Sequence, residues 1–341
     1  MDTSDRPQDA ELTGHELERI LSSAGVDPAL LRSWESIAGG TYNAVHRIRL
    51  ADGTGLVLKR APGPDVPALT YERDLLAAEE LFYRSAAGAT TVPVPHWVHV
   101  DRTRDVGSAD HLLMSECAGR GWQDQRDSVA EDDRDRLRRD LGRMTAALHR
   151  VSGPGFGYPT ESVAPLSSNW RDAFLAMTTA VLSDALRFGV ALPRPAAAVG
   201  ELLRAAAPAL DRVTTPALVH FDLWDGNILV DSTAGTPSIT GIIDGERMMW
   251  GDPAADFVSL ALFGDIEQDD PFLTGYRAAG GEADFDERLR VRLALYRTYL
   301  YLVMLTEAVP RGYSGTEHRR RSRRVWGELT SALDMVERGL P

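Results

Sequence analysis

Apolar positions along the chain keep two different periods, and the change between them divides the sequence. Alternating runs at Trp34 to Ile37, Tyr42 to Leu50 and Gly55 to Arg60 predict strands. Ala51-Asp52-Gly53 between the last two is a hairpin signature, and Gly39-Gly40 marks another turn. A short helix is expected ahead of them, from His15 to Ala24, stopped by Gly25, Val26, Asp27 and Pro28. From Leu69 to Ala87, Leu75, Leu76, Phe82, Tyr83 and Ala86 recur at helical spacing and predict one amphipathic helix. Val92-Pro-Val-Pro forces extended chain before strands near Trp97 to Val100 and His111 to Ser115. Beyond Cys117 the helical period takes over, at about Asp133 to Arg150, Trp170 to Phe188, Ala197 to Val213, Phe285 to Val309 and Ser322 to Arg338. Only Ile228 to Val230 and Ile239 to Ile243 read as strands there, forming a hairpin around Ser232 to Pro237. The expectation is an α+β protein of two lobes. An N-terminal helical extension (1–30) precedes a lobe of antiparallel sheet with one main helix (31–116), and a mainly helical lobe follows (117–341).

Composition narrows what such a protein does. The 341 residues are 43% hydrophobic and 26% charged, enough for sizeable cores and too apolar for disorder. The formal net charge of −13 argues against a nucleic-acid partner and is compatible with a cationic small molecule. The polar, acidic opening MDTSDRPQDAELTGHELERI lacks the apolar core of about 7 to 15 residues that a secretory signal needs. Alanine-rich stretches are broken by Glu201 and Arg204, short of a membrane span. A cytoplasmic protein with no membrane association is expected, and no obligate protein partner is evident. Cys117, the single cysteine, reads as a packing residue, and the run Arg319, Arg320, Arg321, Arg323, Arg324 as a solvated helix face. Of 37 basic residues only Lys59 is lysine, and it falls inside a predicted strand.

The segment Val219-His220-Phe-Asp222-Leu-Trp-Asp-Gly-Asn227 has the spacing H-x-D-x-x-x-x-N, and Ile242-Ile243-Asp244-Gly-Glu follows it. Phosphoryl transfer needs residues of these types. One carboxylate orients and deprotonates the acceptor hydroxyl, while an amide oxygen and a second carboxylate hold Mg2+ against the phosphates. Asp222, Asn227 and Asp244 supply that set. Gly251-Asp252-Pro253-Ala-Ala-Asp256 reads as an N-cap with proline at the first helical position and a carboxylate in the first turn, so both aspartates are structural supports.

These motifs resemble those of the aminoglycoside phosphotransferase family, relatives of choline and fructosamine kinases, from roughly Trp34 to Phe263. The resemblance implies a protein-kinase-like fold and a small-molecule kinase using ATP, with GTP not excluded, and Mg2+. It makes Asp222 the catalytic base and Asn227 and Asp244 the metal ligands, with His220 supporting the catalytic loop and Asp256 bracing it. Gly39, Gly40, Thr41 and Asn43 resemble the family's nucleotide-positioning loop. Lys59 is expected on the α- and β-phosphates, held by a helix glutamate for which Glu79 is chosen over Glu72 and Glu80. Met114, Ser115, Glu116 and Cys117 correspond to the hinge that meets adenine.

A protein kinase would carry an A-P-E segment after its magnesium aspartate, whereas Gly251-Asp252-Pro253 arrives within eight residues of Asp244. The acceptor is therefore read as a hydroxyl of a small molecule, of aminoglycoside or other antibiotic type. A choline-, fructosamine- or sugar-type metabolic kinase is the alternative. From a different class comes a nucleotide-binding pseudokinase acting as an interaction module. Asp265, Glu267, Asp269 and Asp270 form an acidic stretch that either meets an amino group of the acceptor or is simply exposed.

Overall fold

The computed structural model describes residues 12–37, 42–96, 98–233 and 235–340. Two compact units emerge. One runs through Pro67 and takes in Pro95–Cys117; the other joins Ala68–Val94 to the chain from Ala118 onward.

The first unit is a helix laid on a sheet. α1 (Gly14–Ser23) is capped by Thr13, whose hydroxyl accepts the Glu16 amide at 3.2 Å. β1 (Leu31–Ser36), β2 (Ala44–Leu50), β3 (Gly55–Arg60), β4 (Val98–Asp101) and β5 (His111–Ser115) form one antiparallel sheet in the order β1-β2-β3-β5-β4. The β2–β3 turn follows its sequence signature: Asp52 accepts the Thr54 amide at 2.9 Å, and Gly53 takes a φ of 91° that a side chain would resist. Leu17, Ile20 and Leu21 of α1 pack with Ile48, Leu50, Leu58 and Leu113 of the sheet into one core. Glu16 ties the helix down, accepting from the Ser108 amide at 2.7 Å and hydroxyl at 2.8 Å and from Arg60 at 3.3 Å.

The second unit begins with α2 (Leu75–Ala89). The predicted single helix over 69–87 is interrupted: Thr70–Glu72 forms one 3-10 turn, Arg73 is extended, and Asp74 has φ 59° before α2 starts. The break lets the strap ahead of α2 bond sideways. Asp184 accepts from the Thr70 amide at 2.7 Å and hydroxyl at 2.9 Å, and Arg311 donates to Glu72. With these bonds and the packing of α2 against the Gly245–Arg247 turn, α2, expected with the sheet, groups with the helices. The unit continues through β6 (Arg120–Gly121), α3 (Trp122–Gln125), α4 (Glu131–His149), α5 (Trp170–Arg187), α6 (Ala196–Ala206), β7 (Ala217–Val219), β8 (Ile228–Asp231), β9 (Ser238–Ile242), β10 (Met249–Gly251), α7 (Asp256–Leu260), α8 (Asp270–Ala278), α9 (Glu287–Glu307) and α10 (Gly315–Arg338).

β8 and β9 form the predicted hairpin, extended by β6. β7 pairs with β10 in a second small sheet absent from the sequence reading, because three-residue strands leave no period to detect. α8 has no counterpart in the sequence reading. Pro208 ends the predicted helix over 197–213 early, as α6 passes into a 3-10 stretch at Ala207–Arg212. From Leu293 onward nearly every residue of α9 is buried, as an apolar stretch facing neighbours on all sides requires; the Thr298 and Thr306 hydroxyls turn back to the carbonyls of Ala294 and Leu302. No helix among the described residues is long and apolar enough to cross a membrane.

Candidate active site

The loop that carries His220 and Asp222 hangs between the end of β7 and the start of β8, and one turn of helix holds it. Asp256, in the first turn of α7, accepts the backbone amides of His220 at 3.1 Å and Phe221 at 2.7 Å. Ser259, one turn on, accepts the Leu223 amide at 3.0 Å. Phe221 has φ 60°, a left-handed conformation costing a bulky residue about 1–3 kcal/mol. Two hydrogen bonds to a buried carboxylate, each about 1.5–3 kcal/mol, offset it. Asp256 is in turn oriented by His149 at 2.9 Å, whose other ring nitrogen meets the Tyr276 hydroxyl at 2.8 Å. Asp252 caps the turn at Pro253, accepting the Ala254 amide at 3.0 Å and the Tyr296 hydroxyl at 2.6 Å, with Arg292 beside it.

His220 links the loop to the Asp244 segment. Its Nδ1 accepts the Asp222 amide at 3.2 Å, so Nε2 carries the proton donated to the Ile243 carbonyl at 2.9 Å. Phe82 of α2 stands edge-on to the imidazole, ring centroids 4.9 Å apart. Asn227 closes the loop from the other side: its Nδ2 donates to the Asp222 carbonyl at 2.8 Å and to the Asp222 carboxylate at 3.2 Å. Its own carbonyl accepts the Ile243 amide at 3.0 Å. Asp222, Asn227 and Asp244 are therefore assembled from two segments into one polar cluster.

Burial pushes the Asp222 carboxyl above its ordinary range, opposed by the positive charge of Arg247 and by His220 and reinforced by Asp244. Arg247 went unnoticed in the sequence. Three residues beyond Asp244, it donates to Glu307 at 2.7 Å, and Arg311 joins Glu307 at 3.3 Å while also reaching Glu72. Burial alone would lower the Arg247 pKa; Tyr71, Glu307, Asp222 and Glu246 instead hold it well above normal. The signal in sequence was an arginine three residues after Asp244, but nothing local named its partners.

In the first unit, Lys59 is 5% exposed on β3, opposite Val45 of β2 and Leu112 of β5. Asn43, 4% exposed, immediately precedes β2; Gly39, Gly40 and Thr41 lie outside the described residues, as does Trp97. Met114 is buried on β5. The Ser115 amide donates to His96 and the Glu116 amide to Gly55, each at 3.0 Å, and the Glu116 carboxylate pairs with Arg47 and Arg49. Cys117 is a free, half-buried thiol pushed up to about 11 by burial and by Glu116. Glu79 is fully buried on α2, in the second unit, and accepts the Tyr83 hydroxyl at 2.6 Å.

The acidic stretch is occupied by arginines. Asp265 faces Arg297 at 3.4 Å, Glu267 faces Arg290 at 2.8 Å, and Asp269 pairs with Arg138 while capping α8 through the Phe272 amide. These contacts favour the exposed-loop reading over acceptor recognition. Arg319, Arg320, Arg321, Arg323 and Arg324 lie exposed along α10, as expected of a solvated face.

The sequence profile of the phosphotransferase enzyme family matches residues 33–294. A Synechocystis protein named "Probable ketoamine kinase" is 31% identical over 147 residues, which are 40% of this chain and 46% of that protein, so the chain matches about half the length of this relative. Among solved structures, a Thermobifida fusca protein assigned as a fructosamine-3-kinase superposes with a TM-score of 0.66 at 22% identity, covering 96% of this chain and 99% of the other. The ADP-bound aminoglycoside phosphotransferase APH(2'')-Ib does so with a TM-score of 0.57 at 18% identity, over 96% and 99%. The fold is the α+β, protein-kinase-like one, and the chain belongs to the phosphotransferase enzyme family.

Proposed function

We propose that this chain is an ATP- and Mg2+-dependent phosphotransferase that moves the γ-phosphoryl group to a hydroxyl of a small molecule, and that the acceptor is a ketosamine, a sugar joined to an amine. The observation that carries the reaction is the convergence of Asp222, Asn227 and Asp244, tied together through His220 and Ile243. Asp222 takes the proton of the acceptor hydroxyl as its oxygen bonds to phosphorus and ADP leaves. The Asn227 contact to its carboxylate and the Phe221 turn behind it fix where that base points. Asn227 spends its Nδ2 on Asp222, which directs its amide oxygen elsewhere, and Asp244 adds a carboxylate; one amide oxygen and one carboxylate are donors that suit Mg2+ when phosphates and water complete its shell. Mg2+, when bound, neutralises charge on the phosphate oxygens. Lys59 is assigned to the α- and β-phosphates and the segment Met114 to Cys117 to adenine.

The ketosamine reading is supported by the ketoamine kinase relative and by the fructosamine-3-kinase fold neighbour. It replaces the antibiotic-type acceptor favoured on sequence, which becomes the competing outcome. The test is ADP release from Mg-ATP across a panel of fructosamines, ribulosamines, aminoglycosides, macrolides and choline, with GTP as a second donor and Asp222→Asn as control. Turnover on fructosamine or ribulosamine above all others supports the reading. Turnover on an antibiotic alone replaces the acceptor, and folded protein that turns over nothing leaves the pseudokinase.

A further inference from the structure

Every hydrogen bond so far assigned to the Asp244 segment falls on its neighbours. The amide of Asp244 itself donates to the Tyr83 hydroxyl at 3.0 Å, and that hydroxyl donates to Glu79 at 2.6 Å. Glu79 and Tyr83 are one helical turn apart on α2, an i,i+4 pair on the same face, and Phe82 lies between them. A Cβ at Gly245 would run into the Phe82 ring, so only glycine lets α2 approach this closely. Tyr83 is 1% exposed and Glu79 fully buried. Asp244 has φ 60°, a left-handed conformation uncommon outside glycine. Something must hold it there.

We infer that Tyr83 is a positioning residue for Asp244, its hydroxyl pinning the left-handed turn that aims the Asp244 carboxylate. The inference rests on the reading of Asp244 as a metal ligand. The direction of the chain is set by proton count. The Asp244 amide can only donate, so the phenol oxygen accepts from it, and the single phenol proton goes to the Glu79 carboxylate. Phenylalanine at position 83 would leave the Phe82 contact with Gly245 untouched and lose the pin. Glu79 thereby acquires a partner inside its own unit, independent of any nucleotide.

Tyr83→Phe, in the full chain, is the test, with two readouts that need no turnover. Amide exchange at Asp244, followed by NMR without nucleotide or metal, is expected to speed up about tenfold, the size of one buried hydrogen bond. The Mg2+ concentration giving half of the ATP-dependent rise in melting temperature is expected to climb about five- to tenfold. A variant that melts lower yet keeps both values has lost packing alone and overturns the inference. If wild-type protein shows no Mg2+-dependent rise, the metal reading of Asp244 falls, while the exchange rate still judges Tyr83. Should Tyr83→Phe not fold, Glu79→Gln weakens the same chain: exchange at Asp244 faster by about threefold or more supports the inference, and an unchanged rate overturns it.

Discussion

Lys59 and Asp244 are held by opposite kinds of structure. Lys59 sits in the middle of a regular ladder, bonded through β3 to strands on both sides, and the same alternation that makes the strand sets its direction. Asp244 sits just past the end of β9 in a left-handed turn, with support from Tyr83 on α2, His220 in the loop after β7 and Asn227 ahead of β8. The first placement is local and repetitive. The second needs segments more than 160 positions apart along the chain to arrive together. A strand can absorb a changed neighbour because its ladder remains, whereas a turn draws its support from side chains of separate segments. Damage to the site should therefore be graded by how few contacts replace the one lost.

The largest effect is expected at Asp222, where no neighbour duplicates the base. Asp222→Asn should lower turnover by about 10²–10⁴-fold, with the melting temperature and nucleotide binding nearly unchanged. Steady-state kinetics beside a nucleotide titration decides it, and near-normal turnover by folded protein removes Asp222 as base. Next comes Lys59→Arg. The strand should accept the side chain, but a planar fork delivers charge with a different geometry from an ammonium, and turnover should drop by roughly 10–100-fold. Because Lys59 is the only lysine, an ATP-derived acyl phosphate offers an independent check: labelling at Lys59, read by peptide mass spectrometry, should be blocked by excess Mg-ATP. Labelling that ATP does not block takes Lys59 out of the nucleotide site.

Asp256→Asn probes the bracket rather than the chemistry. Its carboxylate serves two backbone amides and His149, and an amide side chain leaves one of these without its acceptor, a loss of about 1–3 kcal/mol. Turnover should fall roughly tenfold together with the melting temperature. A fall in melting temperature with unchanged turnover would show that the Phe221 turn does not depend on this bond.

The smallest effect contrasts the two units under acid. Burial, with Arg60, lowers the pKa of His46, and burial lowers that of His111, so both prefer to be neutral when folded. The unfolded chain then binds their protons first, near its ordinary value of about 6.5, and the stability of the first unit should decline as pH falls below that point. Below about 4, Glu16 and Asp101 add to the loss, since hydrogen bonds from Ser108 and Thr103 outweigh burial and hold both carboxyls below their ordinary values. Hydrogen exchange at pH 7 and pH 5.5 should show β2 and β5 opening more readily at the lower value, before α9 does. Equal protection of these strands at both values would mean that neither histidine couples to folding.

What could be read from the sequence follows the range of the forces involved. The ladder of β1 to β5, α1 with its cap, and the spacing of His220, Asp222 and Asn227 are written in neighbouring residues, because alternation, helical period and loop chemistry act over a few positions. Asp256 was legible as a first-turn carboxylate, and Glu79 only through resemblance, as the holder of Lys59; the contacts of Asp256 with His149 and of Glu79 with Tyr83 were not. The break at Arg73 and Asp74, the short strands β7 and β10, and the buried chain of Arg247, Glu307, Arg311 and Glu72 were not legible at all. Each depends on a buried polar group finding its partner in a distant segment, and a single chain pattern carries no record of such pairings. Leaving a buried charge or amide unmatched is costly, so these pairings are strict, yet only the packed chain determines which residues meet. Sequence by itself determined which residues could do the chemistry. The tertiary structure decided which of them Asp256, His220 and Tyr83 hold in place, because their hydrogen bonds join segments that only folding brings within reach.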